Sequence, residues 1–382
     1  MTWIFWSLIF LIIYCYFGYP ALLWGVSKIA SKQVSKAYIS PTVSVVLSVW
    51  NEQDVIQKKI ENLLNQDYPK EKLEILIGSD GSTDRTNDIL QKYKGDRLHI
   101  IQNAERRGKM AMLNELVEQA NHEMIVFTDA RQVLAPNAIK ELVANFSDPA
   151  VGCASGELVF SEDDGATARG INLYWNYEKF IRRCESKIHS MLGATGAICA
   201  IRRALFVPIP TQVVLDDMFV PFKITQKGYR AVFDESAKAY DAVADSPREE
   251  HRRKVRTLFG NYQIFLIFRS LFNPLNSPVA IQLFSHKFLR VIIPFFMIAI
   301  FFLNLNLLDD PFYRNIFILQ VIFYGMAITG GLARYKKYGI LKLISRVCYI
   351  PYVFCLLNFS AFIGFMRFIG SRQDITWEKA RG

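Results

Sequence analysis

The sequence predicts an α/β protein with membrane-spanning helices, and three observations carry that expectation. Apolar runs suited to buried strands alternate with helical stretches in the first half of the chain. Polar residues gather where several of those runs stop, and four stretches without any charged residue are each long enough to cross the roughly 30 Å hydrocarbon core as helices.

The alternation begins after Pro41, where TVSVVLSV reads as a strand and NEQDVIQKKIENLL as a helix with Ile56, Ile60, Leu63 and Leu64 on one face. LEILIGSD is then a strand, STDRTNDILQKY a capped helix, RLHIIQN a strand and GKMAMLNELVEQA a helix. MIVFTD is a strand, and PNAIKELVANF a helix with Pro136 at its start. This order predicts a mostly parallel, doubly wound sheet, in which ligands bind at the carboxyl ends of the strands. Asn51 and Glu52 end the first strand, Asp80 the second and Asp129 the fourth, so three strands deliver polar groups to one edge. Neither a G-x-G-x-x-G nor a G-x-x-x-x-G-K-[ST] motif is present, which argues against a dinucleotide enzyme or a P-loop NTPase.

The uncharged stretches are residues 3–24, 291–308, 316–333 and 347–366, in a chain that is 51% hydrophobic and only 21% charged. A cleaved signal peptide is disfavoured for the first, which lacks a basic start and a small-residue cleavage site. Lys28, Lys32 and Lys36 follow the first stretch, and Arg334, Lys336, Lys337, Lys342 and Arg346 lie between the third and fourth. Those cations predict an outward amino terminus and a cytosolic middle region in a multi-pass protein of the cell membrane. Arg372, Lys379 and Arg381 in the tail conflict with that orientation, which leaves a re-entrant or interfacial fourth segment as the alternative.

The net charge of +10 is explained by cations flanking the apolar stretches, which suits anionic lipid, and no basic-aromatic nucleic-acid motif appears. Cys15, Cys348 and Cys355 fall in apolar stretches, and Cys153, Cys184 and Cys199 lack metal-ligand spacing, so reduced thiols are expected.

In order, SVVLSVWNEQDVI, IGSDGSTDRT, GKMAMLNE, FTDARQ, GATGAICAIRR, LDDMFVPFKITQKGYR and RRKVRT resemble the membrane-bound processive branch of family 2 glycosyltransferases. That branch includes the cellulose, chitin, hyaluronan and poly-N-acetylglucosamine synthases. The resemblance implies a Rossmann-like GT-A domain and inverting transfer from a nucleotide sugar, expected to be UDP-linked, to a growing β-linked polysaccharide. Transfer of a single sugar to a lipid carrier or glycolipid is the alternative, and a non-catalytic nucleotide-binding scaffold the alternative of another class. The expected organisation is a membrane helix at 1–26, a cytosolic GT-A domain at 40–250 and an amphipathic interface helix at 251–273. Three membrane helices within 288–370 and a tail at 371–382 follow. An export partner or a homo-oligomer would complete the assembly.

By the same resemblance, Asn51, Glu52 and Asp80 would hold base and ribose, with Lys109 near the donor. Local turn bonding within SDGSTD is the plainer reading of Asp80 and Asp84. Asp129 matches the first carboxylate of the D-x-D motif, but Arg131 stands at the second, which weakens a site for Mg or Mn. Arg131 would then neutralise the diphosphate directly, with Asp129 and water holding the metal weakly or not at all, or else point outward to a surface acid. In VVLDDMF, Asp217 would be the general base and Asp216 its support, since adjacent carboxylates raise one pKa. Gly193 and Gly196 of GATGA would let the acceptor approach the backbone. Arg253 and Arg256 lie where the family has Q-x-x-R-W: Arg256 keeps a phosphate-facing charge, but Thr257 replaces the tryptophan on which an acceptor sugar could rest.

Overall fold

The computed structural model describes residues 1–95, 97–160, 166–241, 247–333 and 340–370, with side chains omitted at 166–174, 247–250, 333 and 340–346. The cations Arg334, Lys336 and Lys337, the side chains of Lys342 and Arg346, and the tail with Arg372, Trp377, Lys379 and Arg381 lie outside that description.

Eight strands form one sheet: β1 (Val43–Val49), β2 (Leu73–Asp80), β3 (Leu98–Asn103), β4 (Met124–Phe127), β5 (Val133–Leu134), β6 (Val151–Phe160), β7 (Cys199–Arg202) and β8 (Arg230–Asp241). Their order is β3-β2-β1-β4-β7-β6-β8-β5. The first four run parallel, with Val43 paired to both Leu73 and Met124. Of these, β1, β2 and β4 are covered on both faces, which is why they read as largely apolar runs, while the edge strand β3 is only partly buried. Val46, Leu76 and Ile125 pack towards the helix Lys109–Gln119, while Val45, Ile75 and Val126 pack towards the helices Ile56–Leu64 and Ala138–Ala144.

The expectation of a mostly parallel sheet holds, since β6 and β8 also pair in parallel and run the same way, and only β7 and the short β5 run against the rest. β7 runs antiparallel to both β4 and β6 and so reverses the chain direction next to the strand that ends in Asp129. That reversal brings the loop before β7, residues 193–197, to the same edge as the ends of β1, β2 and β4.

Four helical segments among the described residues are long and apolar enough to cross a membrane: Thr2–Ile29, Ala280–Leu305, Pro311–Leu332 and Val347–Ile369. The first and second each contain a π-helical turn, Tyr14–Gly18 and Leu283–Phe288. These two turns face one another, with the Tyr14 and Ser285 hydroxyls 2.9 Å apart.

A buried ionic cluster fastens the second turn to the long helix Ala166–Ile188. The His286 ring lies between two carboxylates, Nδ1 2.8 Å from Glu185 and Nε2 3.2 Å from Glu178. Tyr19 donates to Glu185 at 3.0 Å, and Arg290 pairs with Glu178.

The segment expected to lie flat on a bilayer is a helix at Pro247–Ile267 followed by a 3-10 turn, Arg269–Phe272. Its aromatic side is occupied by protein: Tyr262 stacks on Phe368, meets Phe365 and donates to the Val291 carbonyl at 3.0 Å. Gly364 lets the last helix approach closely, since a Cβ there would lie 3.1 Å from the Phe259 amide nitrogen.

Candidate active site at the carboxyl edge of the sheet

Asn51 leaves β1 in the left-handed region, φ 53°, which an asparagine tolerates better than most residues. Its side-chain oxygen accepts from the Thr83 amide at 2.7 Å, and its own amide donates to Ser82 Oγ at 3.1 Å. Asp84 makes a local turn bond, accepting from the Thr86 amide at 3.0 Å, and also reaches the loop after β1, accepting from the Gln53 amide at 3.2 Å. Asp80 reaches across the edge: its two oxygens accept from the backbone amides of Arg107 and Gly108 at 2.8 and 2.7 Å. Gly81, φ 67°, makes room for that loop, because a Cβ there would lie 2.7 Å from the Arg106 nitrogen. Asn51 and Asp80 thus rigidify the loops around the edge, and Arg106 stacks 3.5 Å from the Trp50 ring centroid beside them.

Lys109 stands at the centre, with Nζ 3.1 Å from Asp129 and 3.1 Å from Asp216. One cation therefore joins the carboxylate at the end of β4 to the acidic pair that begins the helix Asp216–Gln226. Burial pushes the Asp129 carboxyl up, but Lys109, Lys59 and Arg256 outweigh it and hold the group below its ordinary value. Burial likewise opposes the Lys109 charge, and Asp129 and Asp216 reverse that effect and raise its pKa.

Arg131 settles between the two expectations for it. It neither faces solvent nor stands free, because its Nε lies 3.6 Å from the buried Glu52 carboxylate. Glu52 is thereby oriented by its own amide bond to Thr86 Oγ1 and by the arginine that replaces a second D-x-D carboxylate. Among the described residues no three His, Cys, Asp or Glu side chains converge as a metal site. Asp129 offers hard carboxylate oxygen, so the donor set fits a divalent cation held by that single residue together with oxygens brought by a ligand.

Asp217 differs from its neighbour. Burial, then the Asp216 charge, push its carboxyl up to about 6, against the pull of Arg182, Lys109 and Lys287. Its Oδ1 is buried without a hydrogen-bond partner, while its backbone carbonyl accepts from the Ala194 amide at 2.8 Å. Gly193 and Gly196 both belong to this contact zone. A Cβ on Gly193 would lie 3.3 Å from Met218, and one on Gly196 would lie 3.7 Å from Asp129 Oδ2. Thr195 is held by Arg182 at 2.9 Å, so the GATGA loop is fixed from both sides.

Arg256 joins the cluster electrostatically. Burial lowers its pKa, and Asp216, Asp217 and Asp129 raise it. Arg253, one turn earlier on the same helix, is exposed and is placed with Arg256 rather than with the carboxylates. Trp50, Lys59, Arg106 and Arg182 take part without being legible as motif residues. Lys59 had a signal, since it follows Ile56 by three and precedes Leu63 by four, on the face that turns inward.

Residues 44–207 match the family model for glycosyl transferase family 2. That segment is similar to family 2 glycosyltransferases. The chain is 25% identical over 252 residues to the poly-β-1,6-N-acetyl-D-glucosamine synthase of Staphylococcus aureus, an alignment covering 64% of this chain and 60% of that one. It is 22% identical over 230 residues to the synthase of the same name from Staphylococcus epidermidis, covering 59% and 55%. The chain thus spans about 60% or less of the length of the curated relatives it matches. A mannosyltransferase from Pyrobaculum calidifontis, solved in complex with GDP-Man and Mn2+, shares the fold with a TM-score of 0.70 at 22% identity, covering 97% of this chain and 100% of that one.

Proposed function

We propose that the chain is a membrane-integrated, inverting glycosyltransferase that moves a sugar from a nucleotide donor to a hydroxyl acceptor, extending a β-linked polysaccharide. The observation that carries this reading is Asp217, a carboxyl raised to about 6 with one buried oxygen unpartnered, joined through Asp216 and Lys109 to the donor-side carboxylate Asp129. A carboxylate that is short of partners and has a pKa near the working pH is suited to take the proton of an attacking hydroxyl.

Each residue then has a physical role. Asp80 and Asn51 brace the loops that would receive base and ribose, and Glu52 is oriented by Arg131. Lys109 and Arg256 place positive charge where a diphosphate leaving group develops negative charge. A Mg or Mn ion would be held by Asp129 and would add to that screening. Asp217 accepts the proton as the hydroxyl oxygen attacks carbon one and the diphosphate departs. A single displacement inverts the anomeric configuration. Gly193 and Gly196 keep the acceptor loop close to both carboxylates.

Single transfer to a lipid acceptor is the second reading, favoured by Thr257 in place of an acceptor-stacking tryptophan. We place the catalytic domain on the cytosolic face on the strength of the cations after the first span. Membranes containing the chain, supplied with labelled UDP- and GDP-sugars and Mg or Mn, should yield a long, lipase-resistant polymer. A small lipid-extractable product would instead establish the second reading. No transfer from any donor, with an unchanged phenotype in Asp217→Asn, would favour the scaffold.

A further inference from the structure

Lys59 occupies a core position, yet no feature of packing calls for a charge there. The inward face of the helix Ile56–Leu64 is Ile56, Lys59, Ile60 and Leu63, and Lys59 is 1% exposed. Its ammonium donates to Thr128 Oγ1 at 2.8 Å and to the Gln132 carbonyl at 2.7 Å. Those partners flank Asp129, Ala130 and Arg131, so the segment that replaces D-x-D is folded over a buried cation. Thr128 in turn donates to the Ala197 carbonyl at 2.9 Å, which links the same ammonium to the acceptor loop.

Burying an ammonium costs several kcal/mol, and two neutral acceptors do not repay it as an apolar side chain would. Burial accordingly draws the Lys59 pKa down to about 7, and Asp129, the anion that favours the ionised form, offsets that only in part. Lys59, Lys109 and Arg256 all act on that one carboxylate. Lys109 and Arg256 also answer to Asp216, and Arg256 to Asp217, whereas Lys59 answers to Asp129, so negative charge arriving over Asp129 adds to the compensation that this buried ammonium lacks.

We propose that Lys59 is a built-in cation beneath the donor loop which carries part of the diphosphate screening otherwise left to a divalent metal, so that nucleotide binding survives metal removal. The proposal rests on the glycosyltransferase reading above. It assigns Lys59 a role through the loop and the local field rather than through direct contact with substrate.

The test is calorimetric titration of UDP and of GDP into the purified full chain in nanodiscs, once with EDTA and once with Mn2+. The wild type should bind one of the two nucleotides in EDTA within about tenfold of its Mn2+ affinity, and Lys59→Met should lose about tenfold or more in EDTA but much less in Mn2+. Lys59→Gln, which can still donate to the Gln132 carbonyl but carries no charge, should behave like Lys59→Met. Equal losses in EDTA and Mn2+, or rescue by Gln, would make Lys59 a structural prop and overturn the proposal. Strict metal dependence of the wild type overturns it too, and that measurement decides the matter should the variants not fold. Absence of binding of either nucleotide to the wild type under both conditions would sink the glycosyltransferase reading itself.

Discussion

Two buried charge clusters lie in this chain, and they are built to different ends. At the junction of the first two long apolar helical segments with the long helix Ala166–Ile188, Glu178 and Glu185 are matched by His286, Arg290, Lys287 and Tyr19. At the sheet edge, Lys109 bridges Asp129 and Asp216, but Asp217 Oδ1 remains buried and unpartnered. A group left short of partners is where a functional role is to be sought, so the first cluster reads as a fastening and the second suits the proton acceptor proposed above.

The comparison is tested most severely at Asp217. Asp217→Asn should cut turnover by about a hundredfold to ten-thousandfold while nucleotide binding persists. The same change should stabilise the fold at alkaline pH. Folding raises the carboxyl from its ordinary 3.8 to about 6, so protons are taken up on folding between those values and the ionised form costs stability above them. The melting midpoint of Asp217→Asn should therefore exceed that of the wild type at pH 8 and converge with it near pH 4. A variant less stable at pH 8 would mean that Asp217 is a structural anion like Glu185. Wild-type turnover should correspondingly fall on the acid side of about pH 6 as the base is protonated.

Breaking the junction should act in the opposite sense. Glu185→Ala leaves His286 and Tyr19 facing a void and should cost about 3–5 kcal/mol, read as a lowered melting midpoint of the full chain in detergent. A loss below about 1 kcal/mol, the range of exposed pairs, would show that the cluster is not a clamp.

The smallest effect belongs to an ion pair outside both clusters. Arg183 and Glu235 meet at the surface with side chains 46% and 42% exposed. Arg183→Ala should change stability by less than about 0.5 kcal/mol and leave the pH profile unmoved. A larger change would mean that charge in this chain acts over a longer range than the two clusters imply.

How much could be read beforehand follows from what is local. The parallel strands β1, β2 and β4 were legible because strands buried on both faces are largely apolar and end where loops carry polar residues, as at Asn51, Asp80 and Asp129. The acidic pair Asp216–Asp217 was legible because two adjacent carboxylates at a helix start perturb each other wherever they are placed. The antiparallel β7 was not, since CAIR is too short to distinguish strand direction. Arg131 was left with two destinations, and its actual partner, Glu52, lies on another strand's loop.

The sequence by itself determined the alternation of strands and helices, the four apolar stretches and the residue types at the sheet edge, because periodicity, length and turn chemistry act over a few neighbouring residues. Only the tertiary structure decided which charges face which. Lys109 between Asp129 and Asp216, Lys59 beneath the donor loop, and His286 between Glu178 and Glu185 each join residues far apart in the chain. A charge gains or loses its meaning through burial and partners within a few ångströms, and those are properties of the packed fold.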